Sequence, residues 1–165
     1  MTLAGDQSAP RRATRADADV IGALLHRFNI EFHSPTPDAP VLAQRLRELL
    51  GHGTDELLGH GTVALLAGPG PDGFAILRLR PSLYSPQLEA YLAELYVVPE
   101  RRGHGLGRAL LRSCCRLSRE LGADRIELGT SEDDCGARAL YESEGFLNRE
   151  DGPDGPIMYV YERDL

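Results

Sequence analysis

The sequence of 165 residues contains no lysine, and all 18 of its basic residues are arginine. Chemistry that needs a lysine amine is thereby excluded, including Schiff-base catalysis and the phosphate-binding lysine of a P-loop. Cysteine is scarce, limited to Cys114, Cys115 and Cys135. An odd count with two neighbours argues against a disulfide framework and points to a reduced, cytoplasmic setting. The spaced Cys and His ligands of a structural zinc site are missing, so no metal is expected. No apolar run approaches the roughly 20 residues that span a bilayer. Met1 to Arg12 lacks the apolar core of a secretory signal, and no membrane partner is expected. A basic balance is also lacking: 25 acidic residues against 18 basic ones give a net charge of −7. Binders of duplex nucleic acid usually present a basic face, so no nucleic-acid partner is expected.

What is present fits one soluble globular domain, with 42% hydrophobic and 26% charged residues. Residues 1–9 read as a flexible tail before a single domain over residues 10–165. Thr14-Arg15-Ala16-Asp17 forms a capping-box pattern, followed by Val20, Ile21, Leu24, Leu25, Phe28 and Phe32 at helical spacing. That helix should end in the His33-Ser34-Pro35-Thr36-Pro37 loop. Asp38 and Pro40 suit the start of a second helix, with Leu42, Leu46, Leu49 and Leu50 on one face. Leu49-Leu50-Gly51-His52-Gly53-Thr54 then recurs as Leu57-Leu58-Gly59-His60-Gly61-Thr62. Two copies this short cannot make a solenoid, and the stretch reads as a loop into a strand at about residues 62–67.

Pro69-Gly70-Pro71-Asp72-Gly73 signals a hairpin turn to a partner strand over Phe74–Pro81. A further strand covers Ala90–Val98. Strict alternation would put Tyr91, Ala93, Leu95 and Val97 on one side, and Leu92, Glu94, Tyr96 and Val98 on the other. A glycine-rich loop, Arg101–Gly107, opens a helix whose apolar stripe is Leu106, Leu110, Cys114, Leu117 and Leu121, with Gly122 as its stop. A strand at Arg125–Gly129, a helix from Asp134 to Glu144 and a last strand at Pro156–Asp164 complete the order. The pattern is that of an α+β (mixed α/β) fold with helices on the faces of one sheet.

The glycine loop carries the chemistry. In Arg102-Gly103-His104-Gly105-Leu106-Gly107-Arg108 a strand runs through glycines into a helix, where backbone N–H groups point at an anion. No Ser, Thr, Asp or Asn stands at the helix start to satisfy those donors. The dinucleotide fingerprint fails, because its third glycine position, counted from Gly103, is Arg108. What fits is Arg-x-x-Gly-x-Gly at Arg102, Gly105 and Gly107. Downstream come Ile126-Glu127-Leu128-Gly129-Thr130, Asp134, Ala137-Arg138-Ala139-Leu140-Tyr141 and Gly145-Phe146.

In order and spacing these segments resemble the GNAT superfamily of N-acetyltransferases over nearly the whole chain. The resemblance implies a twisted, mostly antiparallel sheet of about six or seven strands with about four helices, splayed at the cofactor site. It implies acetyl-coenzyme A (acetyl-CoA) as cofactor, with the pantetheine arm at Leu95, Tyr96, Val97 and Val98. The pyrophosphate would lie on the backbone from Arg102 to Arg108, and Asp134, Ala137 and Tyr141 would lie nearby. Asp134 departs from the asparagine of many relatives, and an Asp can accept a hydrogen bond from the arm but not donate one. Glu94 is the expected base for the acceptor amine and Tyr141 the acid for the departing thiolate, with a Leu95 or Tyr96 N–H for the oxyanion.

The resemblance also places Phe28, Asn29, Glu31 and Phe32 of the first helix along the acceptor, with Tyr84 as a further candidate. The acidic groups Glu31, Asp38, Glu94 and Glu132 to Asp134 suggest a positively charged small amine, and a homodimer is compatible with such a family. Two other readings share the residues: a protein or peptide acceptor, and an acyl-CoA-binding module without catalysis. Plainer roles exist as well. His104 fits exposed filler, Cys114 and Cys115 fit packing, and the acidic run fits a solvated helix start.

Overall fold

Five consecutive apolar residues, Val63 to Ala67, are all buried, which requires cover on both faces of their strand. That strand is the second of five in a sheet whose strands lie side by side in chain order. The computed structural model describes residues 9–51 and 61–165, and the strands are β1 (Arg11–Arg12), β2 (Gly61–Ala67), β3 (Gly73–Pro81), β4 (Leu88–Val97) and β5 (Ala123–Glu127). Pairings are antiparallel up to β4 and parallel between β4 and β5. The helices are α1 (Ala18–Glu31), α2 (Ala39–Gly51), α3 (Leu106–Glu120) and α4 (Cys135–Ser143). The chain divides into two compact units, Met1–Leu128 and Gly129–Leu165. The expected tail over residues 1–9 lies outside the described residues except for Ala9, and most of the repeated Leu-Leu-Gly-His-Gly-Thr segment also lies outside them.

In the first unit, the hairpin expected at Pro69–Gly73 joins β2 to β3. It closes with the Asp72 N–H donating to the Ala67 carbonyl at 2.8 Å. The Thr14–Asp17 box is also present: the Thr14 N–H donates to Asp17 Oδ2 at 2.8 Å, and a short 3-10 turn leads into α1. Ala18 and Ile21 of α1 and Leu46 of α2 pack on one sheet face with Ala64, Leu66, Phe74, Ile76, Tyr96 and Val98. Gly22 lets α1 and α2 meet closely, since a Cβ there would lie 2.8 Å from both Ala39 O and Ala43 N. The opposite face is covered by α3, with Leu106, Leu110, Leu111 and Cys114 buried. Leu110 lies against Gly73, where a Cβ would come within 3.2 Å of its Cδ1.

The sheet corrects one expectation at the site. Ile76 pairs with Glu94 but Leu77 pairs with Leu92, so Ala93 is an extra residue on β4. This β-bulge breaks the alternation. Leu92 lies on the Leu77 side, under α3, while Glu94 and Tyr96 lie on the Ile76 and Phe74 side, facing α1 and α2. Tyr91, paired with Arg78, shares that second face. Leu92 and Glu94, expected on one face, are therefore on opposite ones.

The second unit contains α4 and a hairpin-like return. Asp134 caps α4, its Oδ1 accepting from the Ala137 N–H at 3.0 Å. Gly145 follows the helix at φ 86°, a left-handed conformation that favours glycine. The last strand expected over Pro156–Asp164 reduces to one bridge between Arg149 and Ile157. Beyond it no ladder forms among the described residues, and Tyr159, Val160 and Tyr161 remain exposed. The described sheet accordingly has five strands, not six or seven, and no helix among the described residues is long and apolar enough to cross a membrane.

Candidate functional site

The parallel ladder between β4 and β5 is short. It runs from Leu88 opposite Ala123 to Tyr91 opposite Glu127 and goes no further. From Leu92 to Val97 the strand β4 continues with β3 on one side only, among the described strands. Its other edge offers main-chain donors and acceptors in an extended row. The bulge at Ala93 sits within this stretch and aims the Glu94 side chain at the α1 and α2 side. Glu94 is partly buried, and burial pushes its carboxyl pKa up against the opposing pull of the nearby Arg78 charge. A carboxylate destabilised in this way is a better proton acceptor than one in water.

At its end β4 turns into the glycine loop. The Val98 N–H donates to Asp72 O at 2.9 Å and the Arg101 N–H donates to Val98 O at 2.9 Å, forming a 3-10 turn over Pro99–Arg101. Gly103 and Gly105 adopt φ of 76° and 83°, and a Cβ at either would meet nothing within 4 Å. Gly105 is the N-cap of α3 and brings no side chain to the first-turn N–H groups. Open space before uncapped donors at the positive end of a helix suits an anionic phosphate.

The expected arginines divide in their roles. Arg101 Nε lies 3.2 Å from Asp72 Oδ2. The Arg102 guanidinium donates through Nε to Val97 O at 2.9 Å and pairs with Glu31 Oε1 at 2.7 Å, lying over the Tyr96 ring. Its charge is thus committed to a carboxylate within the fold. Arg108 is exposed in the first turn of α3. His104 is exposed, and its Nδ1–H donates to Arg102 O at 2.8 Å, a contact that shapes the loop.

Five of the residues expected at the site converge around the end of α1. Tyr96 is buried, and its hydroxyl donates to Glu31 Oε2 at 2.8 Å. Burial, then the Glu31 carboxylate, push its pKa up to about 12. Phe28 packs 5.0 Å from the Tyr96 ring and 5.2 Å from Phe32, between centroids. Asn29 spends its amide on the Leu25 carbonyl at 2.8 Å and so braces the helix end. Glu31, expected as a charge for the acceptor, is instead held by Tyr96 and Arg102. Tyr84, at 94% exposure, stands in the loop between β3 and β4, with only its main chain held, by Ser82 Oγ.

In the second unit, Asp134 and Ala137 are joined by the cap bond, so the Ala137 N–H is already taken. Tyr141 is partly buried on α4, its ring 6.0 Å from that of Phe146. Among the described residues no three His, Cys, Asp or Glu side chains group to hold a metal ion. Sequence reasoning missed Arg78 and the side-chain role of Tyr96. Arg78 is placed by strand pairing and Tyr96 by its contact with the end of α1, neither of which local spacing displays.

The comparisons concern the family and the fold. The pattern of the Acetyltransferase (GNAT) family matches residues 23–146. A solved structure from Arthrobacter sp. FB24, described as an acetyltransferase, is 43% identical with a TM-score of 0.84 and covers 99% of this chain and 100% of its own. An aminoglycoside acetyltransferase from an uncultured soil metagenomic sample shares the fold at 18% identity, with a TM-score of 0.71 over 94% of this chain and 95% of its own. Mycothiol acetyltransferase from Beutenbergia cavernae is 43% identical over 61 residues, which is 35% of this chain and 20% of that protein. The match to that curated relative therefore spans about a fifth of its length. The chain belongs to the GNAT acetyltransferase family.

Proposed function

We propose that the protein transfers an acetyl group from acetyl-CoA to a primary amine of a small molecule, by direct attack with both bound together. The observation that carries this reading is the course of β4. Its ladder to β5 stops at Tyr91, its bulge turns Glu94 toward α1 and α2, and it leads into the glycine loop and the uncapped start of α3.

Acetyl-CoA, when bound, supplies the acetyl thioester. The N–H groups from Gly103 to Arg108 suit its pyrophosphate, whereas Arg102 spends its own N–H on the Pro99 carbonyl and its side chain on Glu31, and so shapes the loop. The open edge of β4 at Leu95 and Val97 offers main-chain partners to the pantetheine arm, while Tyr96 between them turns its main chain toward β3. Val98 offers less, since its N–H already serves Asp72. Asp134 and Ala137 bond each other, which leaves the second Asp134 oxygen as their polar contribution to the arm.

Glu94 takes the proton that a protonated amine must lose before attack, directly or through one water. Of the two expected donors, the Leu95 N–H faces the open edge and meets the negative charge growing on the carbonyl oxygen, while the Tyr96 N–H faces β3. The Tyr141 hydroxyl holds the proton destined for the departing sulfur. Phe28 and Phe32 supply an apolar wall for the acceptor, with Asn29 and Glu31 keeping that helix end in shape and Tyr84 within the loop that follows β3.

Incubation with acetyl-CoA and a panel of amines, with products read by mass, tests the proposal. One acetylated amine class is the expected result. Binding of acetyl-CoA with no acetylated amine, peptides included, would instead make the protein an acyl-CoA-binding module.

A further inference from the structure

We infer that Arg78 selects the acceptor by pairing with a carboxylate, so that the acetylated molecule is an amine that also carries a carboxylate. This rests on the reading of Glu94 as the base for a small amine.

The bulge at Ala93 is what brings the two charges together. It sets Glu94 opposite Ile76, and Arg78 lies two residues from Ile76 on the same strand and the same face, opposite Tyr91. Arg78 and Glu94 are thus diagonal neighbours across β3 and β4, within mutual reach of long side chains. One small molecule can touch both. The Arg78 charge is close enough to act on the Glu94 carboxyl.

Other arginines near this face are engaged. Arg80, two residues on, meets Glu89 at 2.9 Å and Glu127 at 2.7 Å. Arg102 meets Glu31, and Arg27 meets Glu100 at 2.6 Å. Arg78 is exposed and makes no ion pair or hydrogen bond among the described residues.

The chemistry separates acceptor classes. A polyamine would set a second cation beside Arg78, and like charges repel. The acidic groups that suggested such an acceptor are largely committed: Glu31 to Tyr96 and Arg102, Asp133 to Ser131, and Asp134 to Ala137. A carboxylate matches the planar fork of the guanidinium with two hydrogen bonds and leaves the amine of the same molecule to Glu94. The site then reads both ends of a zwitterion.

The test uses matched acceptors that differ only in that group: alanine against alaninamide, and 4-aminobutanoate against 4-aminobutanamide, with spermidine as the polycation. Acetylation of each is followed by mass for the wild type, Arg78→Gln, Arg78→Lys and Arg80→Gln. We expect kcat/KM to favour the carboxylate member by about 10- to 100-fold in the wild type, the range of a charge-assisted pair. Arg78→Gln should bring the ratio toward one, Arg78→Lys should restore part of it, and Arg80→Gln should keep it. The inference is overturned if amide or spermidine is the better acceptor for the wild type, or if Arg78→Gln lowers both members equally. Transfer to none of them would overturn the small-amine reading itself, a result distinct from transfer without the preference.

Discussion

The Tyr96 hydroxyl donates to Glu31 at 2.8 Å and joins two residues 65 positions apart in the chain. It fastens the end of α1 to β4, where the proposed acceptor wall and cofactor edge would meet. With its pKa at about 12, Tyr96 stays protonated at any pH at which the enzyme would be assayed, so its part is to hold Glu31, not to move protons. Tyr96→Phe should lower stability by about 1.5–3 kcal/mol, the worth of a hydrogen bond to a charged group. Urea unfolding with an unchanged midpoint would remove this bond from the account.

Gly22 and Gly136 offer a matched pair. A Cβ at Gly22 would strike backbone atoms Ala39 O and Ala43 N at 2.8 Å, and neither can swing aside. Gly22→Ala should destabilise by about 1–3 kcal/mol despite the better helix propensity of alanine. At Gly136 in α4 the nearest atom is Asp134 Oδ1 at 3.8 Å. Gly136→Ala should be neutral or stabilise by up to about 1 kcal/mol. Thermal unfolding of both variants checks the contrast.

The Asp134 carboxylate caps α4. Asp134→Ala should cost about 0.5–2 kcal/mol, and Asp134→Asn should retain most of the capping. Equal losses in both variants, measured by denaturant unfolding, would show that the cap bond contributes little.

Glu94 couples function to stability. Its folded pKa is raised, mainly by burial. A raised carboxyl pKa means the folded state holds its proton more tightly than the unfolded one. The stability this gives is present below the unfolded pKa and is lost as pH rises through the folded pKa. At neutral pH the ionised Glu94 is thus a burden on the fold. Glu94→Gln should raise the melting temperature near pH 7 and gain little below about pH 4, where the unfolded carboxyl is itself protonated; melting curves across pH would reveal the difference.

Much of this arrangement can be read directly from the residues. Pro69 to Gly73 announces the hairpin, the Thr14 to Asp17 box announces the start of α1, and the glycines from Gly103 to Gly107 announce the loop that opens α3. The bulge at Ala93 is different. Residues 90–98 are apolar on both parities, so nothing in their order marks an extra residue. The link of Glu31 to Tyr96 and Arg102 is hidden for a similar reason, since a contact between residues so far apart in the chain leaves no local period. Pro156–Asp164 misled in the opposite direction: its Tyr and Val content favours a strand, but a strand also needs a ladder partner. The ion pair of Arg102 with Glu31 likewise reassigns a charge that the loop pattern alone gives to phosphate.

The central claim is that Glu94, turned by the bulge, accepts the proton of the attacking amine. The measurement that bears on it most directly is the pH dependence of acetyl transfer at saturating acetyl-CoA, for the wild type and Glu94→Gln. The wild-type rate should fall on the acid side with a midpoint above the ordinary glutamate range. Glu94→Gln should lose that limb together with about 10²- to 10⁴-fold in rate. Transfer by Glu94→Gln at the wild-type rate, with the acid limb unchanged, would contradict the account.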